Sequence, residues 1–117
     1  MDRAFLKGIS KGIDIINNFD RKNKIKEAHE LAKTHKCQDA LDILESIHLS
    51  PNEKSVANLT GYLLKAVCYA ELGYNQSAQN SINVILSMSR WTINPFYHSV
   101  LNDSKKMALE IKKEFNL

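Results

Sequence analysis

His29, His35 and Cys37 fall close together beside Glu30, and these are side-chain types that ligate zinc or copper. Their spacing argues against a site. Residues six apart on a helix point to different faces. His29-Glu30 also lacks the second histidine that a metalloprotease helix needs. Neither a metal nor a cofactor is expected. Asp39, Asp42 and Glu45 share one acidic helix face, which an exposed surface explains. The chain carries no glycine-rich phosphate loop, no nucleophile elbow and no CxxC pair, so catalytic residues are not expected and the chain is read as a non-enzyme. Cys37 and Cys68 sit inside helical patterns and read as small buried hydrophobes rather than a disulfide scaffold. His48 and His98 are isolated.

Arg21-Lys22-Asn23-Lys24-Ile25-Lys26 is the strongest basic run, and with Lys33 and Lys36 it could contact phosphates. It lacks interleaved aromatics and a reading helix, so nucleic acid is the alternative partner, not the leading one. Residues 1–36 hold nine Lys/Arg and five Asp/Glu, residues 37–103 three and six, and residues 104–117 four and two. The middle is acidic and the ends basic, a distribution that steers charged partners or simply solvates helix faces. Arg3, Lys7 and Lys11 lie opposite Phe5, Ile9 and Ile16, but docking of that helix on the rest of the chain is favoured over membrane contact. The N-terminus does not read as a signal peptide, and Val56–Leu72 is interrupted by Asn58, Thr60, Lys65 and Glu71, so a cytoplasmic location is expected.

These residues need elements to hold them. At 117 residues, 44% apolar and 25% charged, with four glycines and two prolines, the chain reads as one all-α domain over 1–117. Six helices are expected. The first runs from about Asp2 to Asn18 and flanks the rest (1–19), with Phe5, Ile9, Ile13 and Ile16 as its stripe, weakened by Gly8 and Gly12. The second spans about Arg21 to His35 and the third about Gln38 to Ile47. Ser50-Pro51-Asn52-Glu53 has the form of a capping box. It places the start of a fourth helix there, running about 33 Å to Leu72 at roughly 1.5 Å per residue. That helix is apolar nearly all round, so it must be covered on most sides and is taken as central. Gly73 ends it, Asn75 caps a fifth helix to about Met88, and Asn94-Pro95 opens a last, capping helix (95–116) that Asn102-Asp103-Ser104 interrupts or bends. Trp91, Phe96 and Tyr97 cluster near this last loop, as a lid over the core or an interface.

The chain also repeats. Shifted by 38 residues, Ala28, Leu31, Ala40, Leu44 and Ile47 fall on Ala66, Tyr69, Ala78, Ile82 and Ile85. Small residues stand where helices cross and large ones where they interlock. These positions, with Tyr62 and Gly73, resemble tetratricopeptide-repeat hairpins over about residues 21–88. The match departs from that pattern in its spacing, in His35 where glycine is usual, and in Lys65 where leucine is common.

The resemblance implies antiparallel helical hairpins stacked as a short bundle or solenoid. It also implies a non-enzymatic protein-interaction module, adaptor or chaperone-like, with a concave groove. Carried over by position, the groove is lined by Lys22, Ile25, His29, Ala32 and Lys33, and by Thr60, Leu63, Val67, Ala70 and Glu71. Leu63 and Val67 replace the Lys/Asn carboxylate clamp of chaperone-binding members. The implied partner is therefore an apolar helical or extended segment of another protein. The flanking helices are the alternative occupants of the groove. Open ends of such stacks are apolar, so a homodimer through the first or last helix is a further alternative.

Overall fold

The computed structural model describes residues 4–88 and 95–117. The described residues form six helices: α1 (Ala4–Ile15), α2 (Phe19–Lys33), α3 (Cys37–Ser46), α4 (Val56–Glu71), α5 (Asn75–Leu86) and α6 (Pro95–Glu114). Among the described residues none is long and apolar enough to cross a membrane.

The central helix is α4, which packs against all five others. Its sequence explains this. Ala57, Leu59, Leu63, Leu64, Ala66, Val67 and Cys68 are buried around the whole circumference, and between its two end residues only a narrow stripe of Tyr62, Lys65 and Tyr69 stays partly exposed. Lys65 lays its ammonium 5.7 Å from the Tyr62 ring centroid on that stripe, so its charge stays wet while its stem covers apolar surface. The radius of gyration, 12.7 Å, is close to the roughly 13 Å of a compact domain this long.

The start of α4 differs from the expected one. Ser50 does not cap a helix. The cap is Ser55, whose hydroxyl accepts the Asn58 amide at 3.2 Å. Ser50 instead opens a turn, its carbonyl accepting from the Glu53 amide at 3.2 Å. Two competing partners explain the shift. The Glu53 carboxylate is taken by Arg21 (2.6 Å) and by the Ser55 hydroxyl (2.9 Å), so it cannot close a box on Ser50. The buried Asn58 side chain donates to the carbonyls of Ser50 and Glu53, holding this segment across the start of α4. Burial raises the Glu53 carboxyl, but the Arg21 and Ser55 hydrogen bonds and the Arg21 charge outweigh it and hold it below the usual carboxylate range.

α2 starts at Phe19, two residues before the expected Arg21, and Asn18 caps it: its Oδ1 accepts the Arg21 amide at 2.9 Å. Two other expectations shift. Asn75 is the first residue of α5, not its cap; Tyr74 holds the cap position without a side-chain bond. α6 runs unbroken through Asn102-Asp103-Ser104, with Ser104 buried and its two neighbours exposed. Asn94 lies outside the described residues.

The ends of α2 and α4 share one geometry. At α4, Tyr74 N–H bonds the Tyr69 carbonyl (2.8 Å) and Gly73 N–H the Ala70 carbonyl (3.1 Å), with Gly73 at φ +84°. At α2, Lys36 N–H bonds the Leu31 carbonyl (2.9 Å) and His35 N–H the Ala32 carbonyl (3.1 Å), with His35 at φ +63°. Both are Schellman ends, which require one left-handed residue.

Candidate functional site

Most of the residues expected to line a groove do not lie on an open surface. Ile25, His29, Ala32, Thr60, Leu63, Val67 and Ala70 are all buried. The first helix lies over this face, packing against α2, α4 and α6. Its own buried stripe is Leu6, Ile9, Ile13 and Ile16. The physical reason is simple: an apolar face this large gains more from cover than from water. The chain carries an amphipathic helix three residues away to supply that cover.

The fit is close at Gly12. A Cβ there would stand 2.6 Å from the Thr60 methyl, so only glycine lets α1 approach α4 at this crossing. The Thr60 hydroxyl turns away and donates to the Val56 and Ala57 carbonyls (2.9 and 3.1 Å), presenting its methyl to α1.

Two polar side chains hold α1 by its main chain. The His29 Nε2 stands 2.7 Å from the Leu6 carbonyl. A carbonyl only accepts, so Nε2 carries the proton. The Lys22 ammonium donates to the Asp14 carbonyl at 3.1 Å, satisfying one of the acceptors that the C-terminal end of a helix leaves open. Between α1 and α2 remains an open cavity of about 440 Å³, lined by Leu6, Lys7, Ser10, His29, Lys33 and His35.

The remaining expected residues, Lys33 and Glu71, lie in different surroundings. Lys33 is exposed and pairs with Glu30 at 2.8 Å. Glu71 is largely buried and belongs to a different cluster: it accepts from the Cys37 thiol at 2.8 Å and lies 3.6 Å from His35 Nδ1. The possible interface residues separate. Tyr97 is a core residue, 2% exposed, with its hydroxyl 3.8 Å from the Met88 sulfur, whereas Phe96 is 67% exposed; Trp91 lies outside the described residues.

The basic run is partly used inside the molecule. Arg21 bonds Glu53 and the His48 carbonyl, and Lys22 bonds Asp14. His29 and His35 part as their spacing predicts, one into α1 and one beside Glu71. Among the described residues no group of three or more His, Cys, Asp or Glu side chains is placed to hold a metal ion. Residue patterns missed Asn58 and the Cys68–Glu71 side of the Cys37 cluster. The signal for Asn58 was present as Ser55-x-x-Asn58, a serine three residues before an amide on an otherwise apolar helix. Comparison with protein-family models, with curated proteins and with solved structures gives no match.

Proposed function

We propose that the chain is a non-enzymatic protein-interaction module, adaptor or chaperone-like, built as a TPR-like stack of two antiparallel hairpins, α2–α3 and α4–α5. Its concave face, on α2 and α4, takes an amphipathic helical segment of a partner protein in the cytoplasm. In the free chain α1 occupies that seat. The observation that supports this most is how α1 is held: His29 and Lys22 grip the main-chain carbonyls of Leu6 and Asp14. Main-chain contacts do not depend on the occupant's side chains, so another helix could use them. The occupant would need a small residue where Gly12 meets Thr60, and apolar residues in register with Ile9, Ile13 and Ile16. Two glycines weaken α1 by about 1 kcal/mol each against alanine, which eases its exchange. With Arg21, Lys22 and Lys33 engaged internally, an apolar protein segment is favoured over nucleic acid.

The test uses a fluorescent peptide spanning residues 4–18, titrated into the full chain. Wild type should bind it weakly, and a chain carrying Ile9→Asp, which ejects its own α1, should bind it at least about tenfold more tightly. Adding Leu63→Glu should abolish the gain, with circular dichroism confirming that each variant is folded. If a folded Ile9→Asp chain shows no anisotropy change, α1 is simply core and the groove reading fails.

A further inference from the structure

Four side chains from three parts of the chain meet where α2 turns into α3. His35 lies in the turn, Cys37 is the first residue of α3, and Cys68 and Glu71 come from α4. Both cysteines are buried thiols, not joined in a disulfide. The Cys37 thiol donates to Glu71 Oε2 at 2.8 Å and is also within hydrogen-bonding reach of the Cys68 thiol. Glu71 follows Cys68 by three residues, so both project from one face of α4 towards the start of α3. These are the only two cysteines of the chain, and the fold brings them together from 31 positions apart.

We propose that Cys37 and Cys68 form a paired oxidation site, at which a small hydroperoxide converts the two thiols into one disulfide that staples α3 to α4. Cys37 reacts first, because it is the more accessible of the two sulfurs, 3% exposed against 0% for Cys68, and the Glu71 carboxylate stands 2.8 Å away to receive its proton as the sulfur attacks. Its sulfur attacks one peroxide oxygen and the O–O bond breaks. Hydroxide leaves and takes the proton from Glu71 as water. Cys37 is now a sulfenic acid. The Cys68 sulfur then attacks the Cys37 sulfur, the S–O bond breaks, and the second hydroxide leaves as water with the Cys68 proton. Two thiols and one hydrogen peroxide give one disulfide and two waters. The site selects the oxidant by size, because Cys37 is only 3% exposed. It is also a slow site. Burial, the Glu71 carboxylate and the Cys68 thiol all keep Cys37 protonated, and the thiolate is the nucleophile. The pair therefore records sustained exposure to peroxide rather than a brief pulse.

The full folded chain is treated with excess hydrogen peroxide, quenched, then alkylated in denaturant and weighed. Wild type should lose two hydrogens and both alkylation sites, and peptide mapping should join the segments holding Cys37 and Cys68. The oxidised chain should melt on the order of 10 °C higher, reversed by a reductant. Cys68→Ser should stop at a Cys37 sulfenic acid that dimedone traps, and Cys37→Ser should leave Cys68 reacting at least about tenfold more slowly. Two alkylatable thiols after oxidation of folded wild type would overturn the proposal. So would a disulfide formed only between chains, or only in the urea-unfolded protein.

Discussion

The turns at residues 34–37 and 72–75 have the same backbone and opposite contents. Each closes a helix with a Schellman pair of hydrogen bonds and a left-handed residue, 38 positions apart. The second turn is a plain stop. Gly73 supplies the positive φ, and Tyr69 and Tyr74 stack edge to face at 6.4 Å, the apolar contact that accompanies this motif. Asn75, which follows, is exposed. The first turn does the same geometric work with His35, and its last residue, Cys37, is buried against Cys68 and Glu71. Backbone geometry here is set by how helices end. Side-chain identity is set by what each turn faces: solvent at one, the flank of α4 at the other.

Charge should separate the two turns most. Cys37→Asp puts a second carboxylate against Glu71 in a buried site, and should destabilise the fold by more than about 3 kcal/mol. The same change at the matching position, Asn75→Asp, adds an exposed carboxylate to the first turn of α5. There the helix dipole favours it, so it should be neutral or stabilising by about 0.3–1 kcal/mol. Urea denaturation of both variants reads the contrast directly. Equal effects would mean that Cys37 does not face Glu71 as described.

The next effect is titration of that same thiol. Burial first, then Glu71 and Cys68, push Cys37 up from its ordinary value of 9.0. Above pH 9 the unfolded chain therefore releases a proton that the folded chain keeps. The unfolded state then binds fewer protons, so stability falls as pH rises. The slope reaches as much as about 1.4 kcal/mol per pH unit from this group. His35 also faces Glu71, with its Nδ1 3.6 Å from the carboxylate. Burial also raises Tyr62, Tyr69 and Tyr97, which add loss of the same sign at higher pH, from about 10 upward. Cys37→Ser, which does not titrate here, should flatten denaturation midpoints between pH 8.5 and 10 and leave the later decline in place.

Gly73→Ala tests the plain turn. A Cβ there meets nothing within 4 Å, so the whole cost is the left-handed backbone, about 1–2 kcal/mol.

The contrast between the turns also marks how far residue patterns reach. Six helices, a central α4 and the glycine stop at Gly73 follow from apolar periodicity and helix-end chemistry, which are local. The start of α4 did not follow, because Ser50-Pro51-Asn52-Glu53 and Ser55-Val56-Ala57-Asn58 are both plausible starts in sequence. The choice was made by Arg21, 32 residues away, which takes the Glu53 carboxylate. Ser55→Ala should therefore cost about 1 kcal/mol, and Ser50→Ala much less. The exposure of the expected groove residues was not legible: burial of His29 and Thr60 depends on where α1 docks, and docking is a tertiary choice. Cys37 read as a small buried hydrophobe, which its 3% exposure matches. Its neighbours Cys68 and Glu71 come from another helix, and no spacing rule within one segment could bring them into view.

The smallest expected effect is the most direct test of the comparison. His35→Gly gives the first turn the residue of the second. It relieves a left-handed side chain, worth about 1–2 kcal/mol. It also frees the unfolded chain, which returns about 0.5–1 kcal/mol of that gain. The His35–Glu71 contact it removes is long, at 3.6 Å, and His35 is 69% exposed there, so little is lost. The net should be a gain of up to about 1 kcal/mol, with the Cys37 thiol undisturbed. A folded variant that gains stability would show that His35 is strained for the sake of the turn alone. A loss would mean that the imidazole beside Glu71 contributes more than its exposure suggests, and that the first turn is held by its side chains as much as by its backbone.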